Sequence, residues 1–252
     1  GYGLWVLGNR WYRPLADGRI VAVRTNGRDE VVVIDRQGGS RTVDIPADGH
    51  VSVDDVSGAR VLLSGSSSTT SPGVWSVDVD SGEVDVVTGA TPSDPAWMPP
   101  ASPILVDGVH GPVHAFAYAP ANPDASAPPH ELPPYVVLVH GGPTAHVSGA
   151  SSAMIAFYTS RGIGVLDVNY GGSTGYGRAY RERLDGGWGV VDVDDVIAAA
   201  RGLADTGLAD PARIAVRGGS AGGWTVLSAL VRGGTFAAGI SRYGVADLEA
   251  LA

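Results

Sequence analysis

The run Gly218-Gly219-Ser220-Ala221-Gly222 limits the possible folds of this chain more than any other stretch of its sequence. It follows a short apolar run at residues 213–217 and precedes a helical pattern at residues 224–231. A strand, a sharp turn and a helix with serine at the turn expose that serine at the end of a sheet, as a nucleophile requires. A serine at a strained backbone angle needs neighbours without side chains, which the glycines provide. The pattern therefore predicts that Ser220 is a nucleophile.

The second half of the sequence as a whole predicts alternating strands and helices. Continuous apolar runs at residues 135–139 and 164–168 are typical of strands buried on both faces of a sheet. Helical spacing is found at residues 150–161 and 192–204. Strand, helix, strand, helix, turn and helix is the order of an α/β-hydrolase domain, which we place at residues 101–252.

Three aspartates lie in the first turn of the second predicted helix, namely Asp192, Asp194 and Asp195. An acidic cluster of this kind suits metal binding or acid–base chemistry. Carboxylates in the first turn also complement the positive end of the helix dipole. We favour the dipole interpretation and predict no metal site.

Residues 1–100 predict short strands separated by tight turns. Equivalent strands recur after 41 residues, from Arg19 to Arg60, and after 43 residues, from Val31 to Val74. A repeat of about 40 residues with several strands in each unit matches the blade of a β-propeller, and two such units are only part of a ring. A β-sandwich is the alternative. Proline-rich residues 91–103 then link this part to the α/β part, and the small polar run at 64–71 is expected to be a loop tip.

Composition argues against several classes of function. The formal net charge of −9 and the lack of a basic run argue against nucleic-acid binding. No apolar run approaches the length of a membrane span, so no membrane partner is expected. The chain has no cysteine and therefore no disulfide or thiolate metal site. No signal peptide is visible, which favours the cytoplasm; because the chain starts at Gly1 inside a strand pattern, we expect the native N-terminus to lie upstream.

A second glycine motif, His140-Gly141-Gly142-Pro143, follows the predicted strand at residues 135–139. An α/β-hydrolase places at this point the loop whose backbone N–H binds the oxyanion formed during acyl transfer. Each such donor contributes about 3–4 kcal/mol to the stability of the transition state. The expected donors are the N–H of Gly142 and the N–H of Ala221, which follows the nucleophile.

Four motifs in this order resemble the prolyl oligopeptidase family, and most of all its acylaminoacyl peptidases and related bacterial aminopeptidases. The resemblance runs from about Pro103 to Ala252. The motifs are His140-Gly141-Gly142-Pro143, residues 169–177 (NYGGSTGYG), Trp188-Gly189 with the aspartates that follow it, and residues 218–223 (GGSAGG).

The resemblance implies a serine peptidase that needs no cofactor and that carries a β-propeller before its hydrolase domain. It implies that Ser220 is the nucleophile and that Gly142 and Ala221 form the oxyanion hole. The expected substrates are short peptides or aminoacyl amides, cleaved so that N-terminal or acylated residues are removed through an acyl-enzyme.

The expected aspartate and histidine of the catalytic triad do not follow Ser220 in this chain. In this fold the triad runs in the order serine, aspartate, histidine. No histidine follows Ser220, and Asp247, the only aspartate after it, is too close in sequence. Among the six histidines, His146 is the one placed near enough to act as a base, but it is on the wrong side of that order. We therefore expect the remainder of the same polypeptide, or a companion chain, to supply both residues.

The glycine-rich loop after the predicted strand at residues 164–168 carries Tyr170 and Tyr176. Ligands meet an open α/β sheet at such strand ends, so both tyrosines are candidates for a substrate pocket. They are equally suited to packing this loop against the predicted propeller. The glycines do not indicate phosphate binding, because no G-K-[ST] sequence follows them.

Two alternatives to a peptidase are open at this point. The same serine suits an esterase or an amide hydrolase that confers resistance. The second alternative is a catalytically inactive fragment or binding module, because the triad aspartate and histidine are absent from this chain.

Overall fold

The chain divides into two units in the computed structural model, which describes residues 6–247 and 249. One unit comprises the described residues up to Asp94 together with Ser148–Ser152. The other comprises Pro95–Val147 and the described residues from Ala153 onward. The strand pattern expected at Gly1 lies outside the described residues.

The first unit is built from two antiparallel sheets of four strands, each with its strands in chain order. The first sheet contains β1 (Tyr12–Pro14), β2 (Ile20–Asn26), β3 (Arg28–Ile34) and β4 (Ser40–Val43), and the second contains β5 (Gly49–Ser57), β6 (Arg60–Ser66), β7 (Gly73–Asp78) and β8 (Val84–Gly89). Glycines with positive φ form several of the turns between them, as at Gly18, Gly38 and Gly82. The repeat seen in the sequence therefore corresponds to two similar four-stranded sheets.

Side chains from both sheets share one apolar core. Val31 and Val33 of the first sheet lie in the same cluster as Val53 and Trp75 of the second, and the Trp75 side chain is fully buried. A buried carboxylate also joins the sheets, because Asp29 of β3 accepts a hydrogen bond from the N–H of Val51 of β5 at 2.9 Å. The pairing satisfies a backbone donor that would otherwise be buried without a partner.

Two parts of this unit differ from the sequence-based expectation. Strand β5 was not predicted, although Val51 and Val53 alternate with polar residues at the period of a half-buried strand. The run at residues 64–71 is not an exposed loop tip, because β6 extends to Ser66 and the three serines Ser66–Ser68 are buried. Small side chains are suited to such burial, and their composition alone did not distinguish it from a loop.

The second unit contains a mixed sheet of six strands in the order β14-β13-β11-β12-β10-β9. Its elements are β9 (Ser102–Gly108), β10 (Gly111–Tyr118), β11 (Tyr135–Val139), α1 (Ala153–Thr159), β12 (Gly164–Asn169), α2 (Arg178–Glu182), α3 (Val191–Asp205), β13 (Ile214–Gly219), α4 (Ala221–Arg232) and β14 (Ala238–Arg242). Strands β12, β11, β13 and β14 are parallel, and the hairpin β9–β10 joins antiparallel to β12.

Alternation along β11 divides the apolar core of this unit between the two faces of the sheet. Val137 and Val139 point to the face packed with α3 and α4. Val136 and Leu138 point to the other face, where Ile155 of α1 packs. Because both faces are covered, β11 is buried at every position, which explains its continuous apolar sequence.

The parallel strands place their carboxyl ends at one edge of the sheet, where β11, β12 and β13 are each followed by one of the glycine motifs. Among the described residues, no helix combines the length and apolar composition of a membrane span.

Candidate active site

Ser220 lies at the turn between strand β13 and helix α4, and its side chain is exposed. Its backbone angles are φ 55° and ψ −125°, in a region that residues with a β-carbon rarely adopt. Such strain of about 1–3 kcal/mol persists only where the surrounding structure holds it in place, and it is concentrated at functional sites. The serine is therefore presented outward by a turn that the chain must stabilise.

Two glycines make this turn sterically possible. A β-carbon on Gly222 would lie 2.3 Å from the carbonyl oxygen of Val139 and 2.6 Å from that of His140. A β-carbon on Gly218 would lie 2.4 Å from the carbonyl oxygen of Gly222. These atoms belong to the backbone and cannot rotate away, so β11, β13 and the first turn of α4 approach this closely only because side chains are absent.

Backbone hydrogen bonds hold the strained residue from both sides. The N–H of Ser220 donates to the carbonyl of Arg242 at 3.1 Å, and the carbonyl of Ser220 accepts from Val245 at 3.3 Å. The same carbonyl accepts from Gly223 at 2.9 Å, at the start of α4. The segment after β14 thus fixes the angle at which the serine leaves the sheet.

The glycine motif after β11 lies directly beside the serine. A β-carbon on Gly141 would lie 3.4 Å from Cβ of Ser220 and 4.0 Å from the backbone nitrogen of Ala221. Within the described part of the chain, the N–H groups of Gly142 and Ala221 donate to no acceptor. Ala221 is the first residue of α4, where the N–H has no partner inside the helix and carries the positive end of its dipole. The two predicted oxyanion donors thus stand near Ser220 and are unpaired.

His140 is held in one protonation state and orientation. Its Nδ1 lies 2.8 Å from the carbonyl oxygen of Gly141, which only accepts, so Nδ1 carries the proton. Burial lowers the pKa of His140 to about 4, so the ring is neutral at pH 7 and Nε2 is an acceptor. The hydroxyl of Ser173 donates to Nε2 at 2.7 Å. These contacts hold the ring against the backbone of the second glycine motif.

Tyr170 is placed differently from the expectation of a pocket residue. Its side chain is completely buried, its ring stacks on that of His140 with centroids 4.4 Å apart, and its hydroxyl lies 2.8 Å from the carbonyl oxygen of Pro143. A phenol enclosed in this way does not line an open pocket. Tyr170 instead supports the backbone of the second glycine motif through the hydrogen bonds of its hydroxyl.

Tyr176 is only partly buried and lies among other aromatic rings. It stacks on His114 with the centroids 3.9 Å apart and the planes 11° from parallel. Its hydroxyl accepts a hydrogen bond from the side-chain amide of Asn169 at 3.2 Å. Because this ring is partly exposed, we still predict that Tyr176 borders a substrate pocket.

The three aspartates of α3 do more than complement the helix dipole. Asp192 accepts from the hydroxyl of Thr225 in α4 at 2.5 Å, and Asp195 accepts from the N–H of Gly171 at 2.7 Å. Asp194 lies 2.8 Å from Nε2 of His110. Burial raises the pKa of Asp195 to about 6. The helix-dipole interpretation is therefore incomplete, because these carboxylates tie α3 to neighbouring elements by tertiary contacts that spacing along the helix does not reveal.

No base is paired with the serine in the part of the chain that the structure describes. There, Oγ of Ser220 makes no hydrogen bond. His146 is buried and is not bonded to the serine, and Asp247 is exposed. Sequence reasoning did not identify Ser173 and Thr225 as contacts of this site; a buried serine in a glycine-rich loop and a threonine one turn into the helix gave no signal of their own.

A strained serine between a parallel strand and a helix, at the carboxyl edge of the sheet, is the arrangement of the α/β-hydrolases. Residues 149–252 match the model of the prolyl oligopeptidase family. The resemblance found in the sequence motifs is thereby confirmed.

Known relatives agree with this assignment. The chain is 40% identical over 117 residues to the dipeptidyl peptidase family member 6 of Caenorhabditis elegans, a match that covers 46% of this chain and 16% of the relative. It is 38% identical over 117 residues to acylamino-acid-releasing enzyme 1 of Oryza sativa subsp. japonica, which covers 46% and 15%. The solved structure of a puromycin-hydrolyzing peptidase of Mycobacterium tuberculosis matches with a TM-score of 0.91 and 45% identity, over 98% of this chain and 39% of that one. The chain thus spans well under half the length of each of these relatives.

Gly222→Ala tests the steric requirement of the turn. Because the added carbon meets two backbone carbonyl groups, we expect the free energy of unfolding to fall by more than about 2 kcal/mol, measured by urea unfolding. Ser228→Ala, in the same helix α4 and partly exposed, is the matched control and should change it little. Equal stability of Gly222→Ala and the control would contradict the steric argument.

The lowered pKa of His140 predicts a pH-dependent contribution to stability. Its pKa is about 4 in the folded chain and about 6.5 in an unfolded one. As the pH falls through 6.5 the unfolded state takes up the proton first, so stability decreases toward pH 4, by at most about 3 kcal/mol from this group. We expect the free energy of unfolding to fall more steeply between pH 6.5 and 4 in the wild type than in His140→Gln. Parallel curves would show that His140 does not titrate in this way.

Proposed function

We propose that this chain is the central part of a serine peptidase that hydrolyses short peptides and removes their N-terminal or acylated residues. The observation that carries the proposal is the exposed, strained Ser220 next to two unpaired backbone donors, the N–H groups of Gly142 and Ala221. The match of residues 149–252 to the model of the prolyl oligopeptidase family supports the same chemistry.

In the proposed reaction, Oγ of Ser220 attacks the carbonyl carbon of the scissile amide. The oxygen of that carbonyl becomes negative in the tetrahedral intermediate and binds the N–H groups of Gly142 and Ala221. A histidine base takes the proton of the serine hydroxyl and gives it to the leaving amine. Water then cleaves the acyl-enzyme on Ser220 and releases the acid.

We propose that the histidine and its aspartate come from sequence outside these 252 residues, in the same polypeptide or in a companion chain. Two observations support this. Oγ of Ser220 has no partner among the described residues, and the chain spans 39% of the Mycobacterium tuberculosis peptidase that it resembles.

We further propose that residues 1–100 are about two blades of a β-propeller and that residues 101–252 are the first portion of an α/β-hydrolase domain. The two four-stranded meanders support the first assignment, and the parallel sheet with its serine turn supports the second. A cytoplasmic location, and the absence of nucleic-acid and membrane partners, stay predictions from the sequence.

Aminoacyl amides are the substrate class that we favour. One relative is named for the release of acylamino acids and another is described as a puromycin-hydrolyzing peptidase. The part-exposed ring of Tyr176 is our candidate for the border of the pocket that receives this residue.

A fluorophosphonate probe tests the nucleophile and its missing base. We expect the complete gene product to be labelled on Ser220 and its Ser220→Ala variant not to be labelled. The 252-residue chain alone should react at least about 100-fold more slowly, because a general base contributes this much or more. Labelling at equal rates would show that the chain contains its own base, and labelling of Ser220→Ala would reject Ser220 as the nucleophile.

Steady-state kinetics distinguish the peptidase from an esterase that uses the same serine. On the complete gene product we expect a higher kcat/KM for aminoacyl anilides and puromycin than for short-chain esters, and loss of both activities in Ser220→Ala. Ser228→Ala serves as the matched control. Faster turnover of the esters would favour the esterase, and no turnover of either class by a protein that is labelled on Ser220 would reject the proposed substrate class.

A further inference from the structure

The loop that follows β12 supports the glycine motif after β11 through buried side chains. We call residues 140–147 the oxyanion loop and residues 169–175 the supporting loop. Ser173 and Tyr170 of the supporting loop are both completely buried, and both reach the oxyanion loop. Thr174 adds a backbone hydrogen bond of 3.0 Å from its N–H to the carbonyl of Ala145.

The hydrogen bonds from the supporting loop reach two kinds of group in the oxyanion loop, backbone carbonyls and one side chain. The hydrogen bonds of Tyr170 and Thr174 end on backbone carbonyl groups of the oxyanion loop. The hydroxyl of Ser173 instead ends on a side chain, Nε2 of His140. Ser173 therefore acts on the oxyanion loop only through the imidazole ring.

The imidazole ring in turn controls one particular peptide group. Nδ1–H of His140 donates to the carbonyl of Gly141, whose carbon is bonded to the nitrogen of Gly142. This peptide is trans, so its C=O and N–H point in opposite directions. A carbonyl of Gly141 fixed toward the ring keeps the N–H of Gly142 directed away from it.

This peptide needs an external support because both residues that flank it are glycines. Gly142 has a φ of 121°, which a residue with a side chain rarely adopts. Without β-carbons on either side, the peptide plane rotates at low cost between several orientations. The hydrogen bond from His140 selects one of them, and the hydroxyl of Ser173, 2.7 Å from Nε2, holds the ring of His140 in the orientation that makes that bond.

We propose that Ser173 is a positioning residue of the oxyanion hole, acting through His140 to fix the direction of the Gly142 N–H. The proposal rests on the proposed function, since it assigns that N–H to the binding of an oxyanion. It implies that the loss of the hydroxyl leaves Nε2 of His140 without its donor. The ring is then free to turn toward another donor; the turn releases the carbonyl of Gly141, and the released ring is no longer restricted to the Nδ1–H form.

The kinetic test compares Ser173→Ala with Ser160→Ala in the complete gene product. Ser160 lies just after α1, and its hydroxyl donates to the carbonyl of Phe157 and accepts from the side chain of Arg161, so it is a control outside the site. For an aminoacyl anilide we expect Ser173→Ala to lower kcat by about 10- to 100-fold, less than or equal to the loss of a whole oxyanion donor. KM should change little, because the substrate carbonyl gains charge only in the transition state. Ser173→Cys, which keeps a weak donor of similar size, should recover part of the loss.

A second measurement does not depend on activity. In a sample labelled with ¹⁵N in histidine, the nitrogen shifts of His140 report which ring nitrogen carries the proton. We expect the Nδ1–H form in the wild type and in Ser160→Ala, and a mixture or the Nε2–H form in Ser173→Ala. An unchanged Nδ1–H form in a folded Ser173→Ala protein would overturn the proposal, as would an unchanged kcat or an equal loss in KM.

The two proposals fail in different ways. If the complete gene product hydrolyses no amide or ester, the proposed function is wrong, and the ¹⁵N shifts still show whether Ser173 controls His140. If it hydrolyses amides normally in Ser173→Ala, the positioning role is wrong and the proposed function stands.

Discussion

The close approach of three backbone segments at the carboxyl edge of the sheet is the constraint on which the rest of this site depends. The first turn of α4 lies so near the end of β11 that a β-carbon on Gly222 would stand 2.3 Å from the carbonyl oxygen of Val139. Only glycine permits this approach. It brings the end of β11, and so the oxyanion loop, beside Ser220, and no separate contact between side chains is needed to place the two motifs together.

The same approach has an energetic cost that the surroundings offset. Ser220 occupies a backbone region that disfavours side chains, which costs about 1–3 kcal/mol. The backbone bonds with Arg242 and Val245 hold it on one side, and the start of α4 holds it on the other. Because Arg242 and Val245 lie outside the serine motif, these hydrogen bonds require β14 to be paired with β13. The geometry of the nucleophile is therefore a property of the assembled unit and not of the motif alone.

The sequence was sufficient for those features that local physics determines. The apolar run at β11 and the glycines around Ser220 restrict the backbone directly, and the structure contains the strand and the turn that they predict. Features that depend on distant partners were not predictable. Tyr170 and Tyr176 lie in the same glycine-rich stretch of sequence. The side chain of Tyr170 is nevertheless completely buried against His140, whereas that of Tyr176 is partly exposed. Which of the two is buried is decided by the position of the oxyanion loop, about 30 residues earlier in the chain.

Helix α3 contacts both the helix that follows the serine turn and the supporting loop. Asp192 binds Thr225 in the helix that begins at Ala221, and Asp195 binds the N–H of Gly171 in the supporting loop. One turn of a buried helix thereby fixes the relative position of the serine turn and of the loop that carries Ser173. A buried carboxylate without such donors would be costly, and burial indeed raises the pKa of Asp195. Asp192 and Asp195 are thus best explained as a brace, because each accepts a hydrogen bond from an element that carries part of the site.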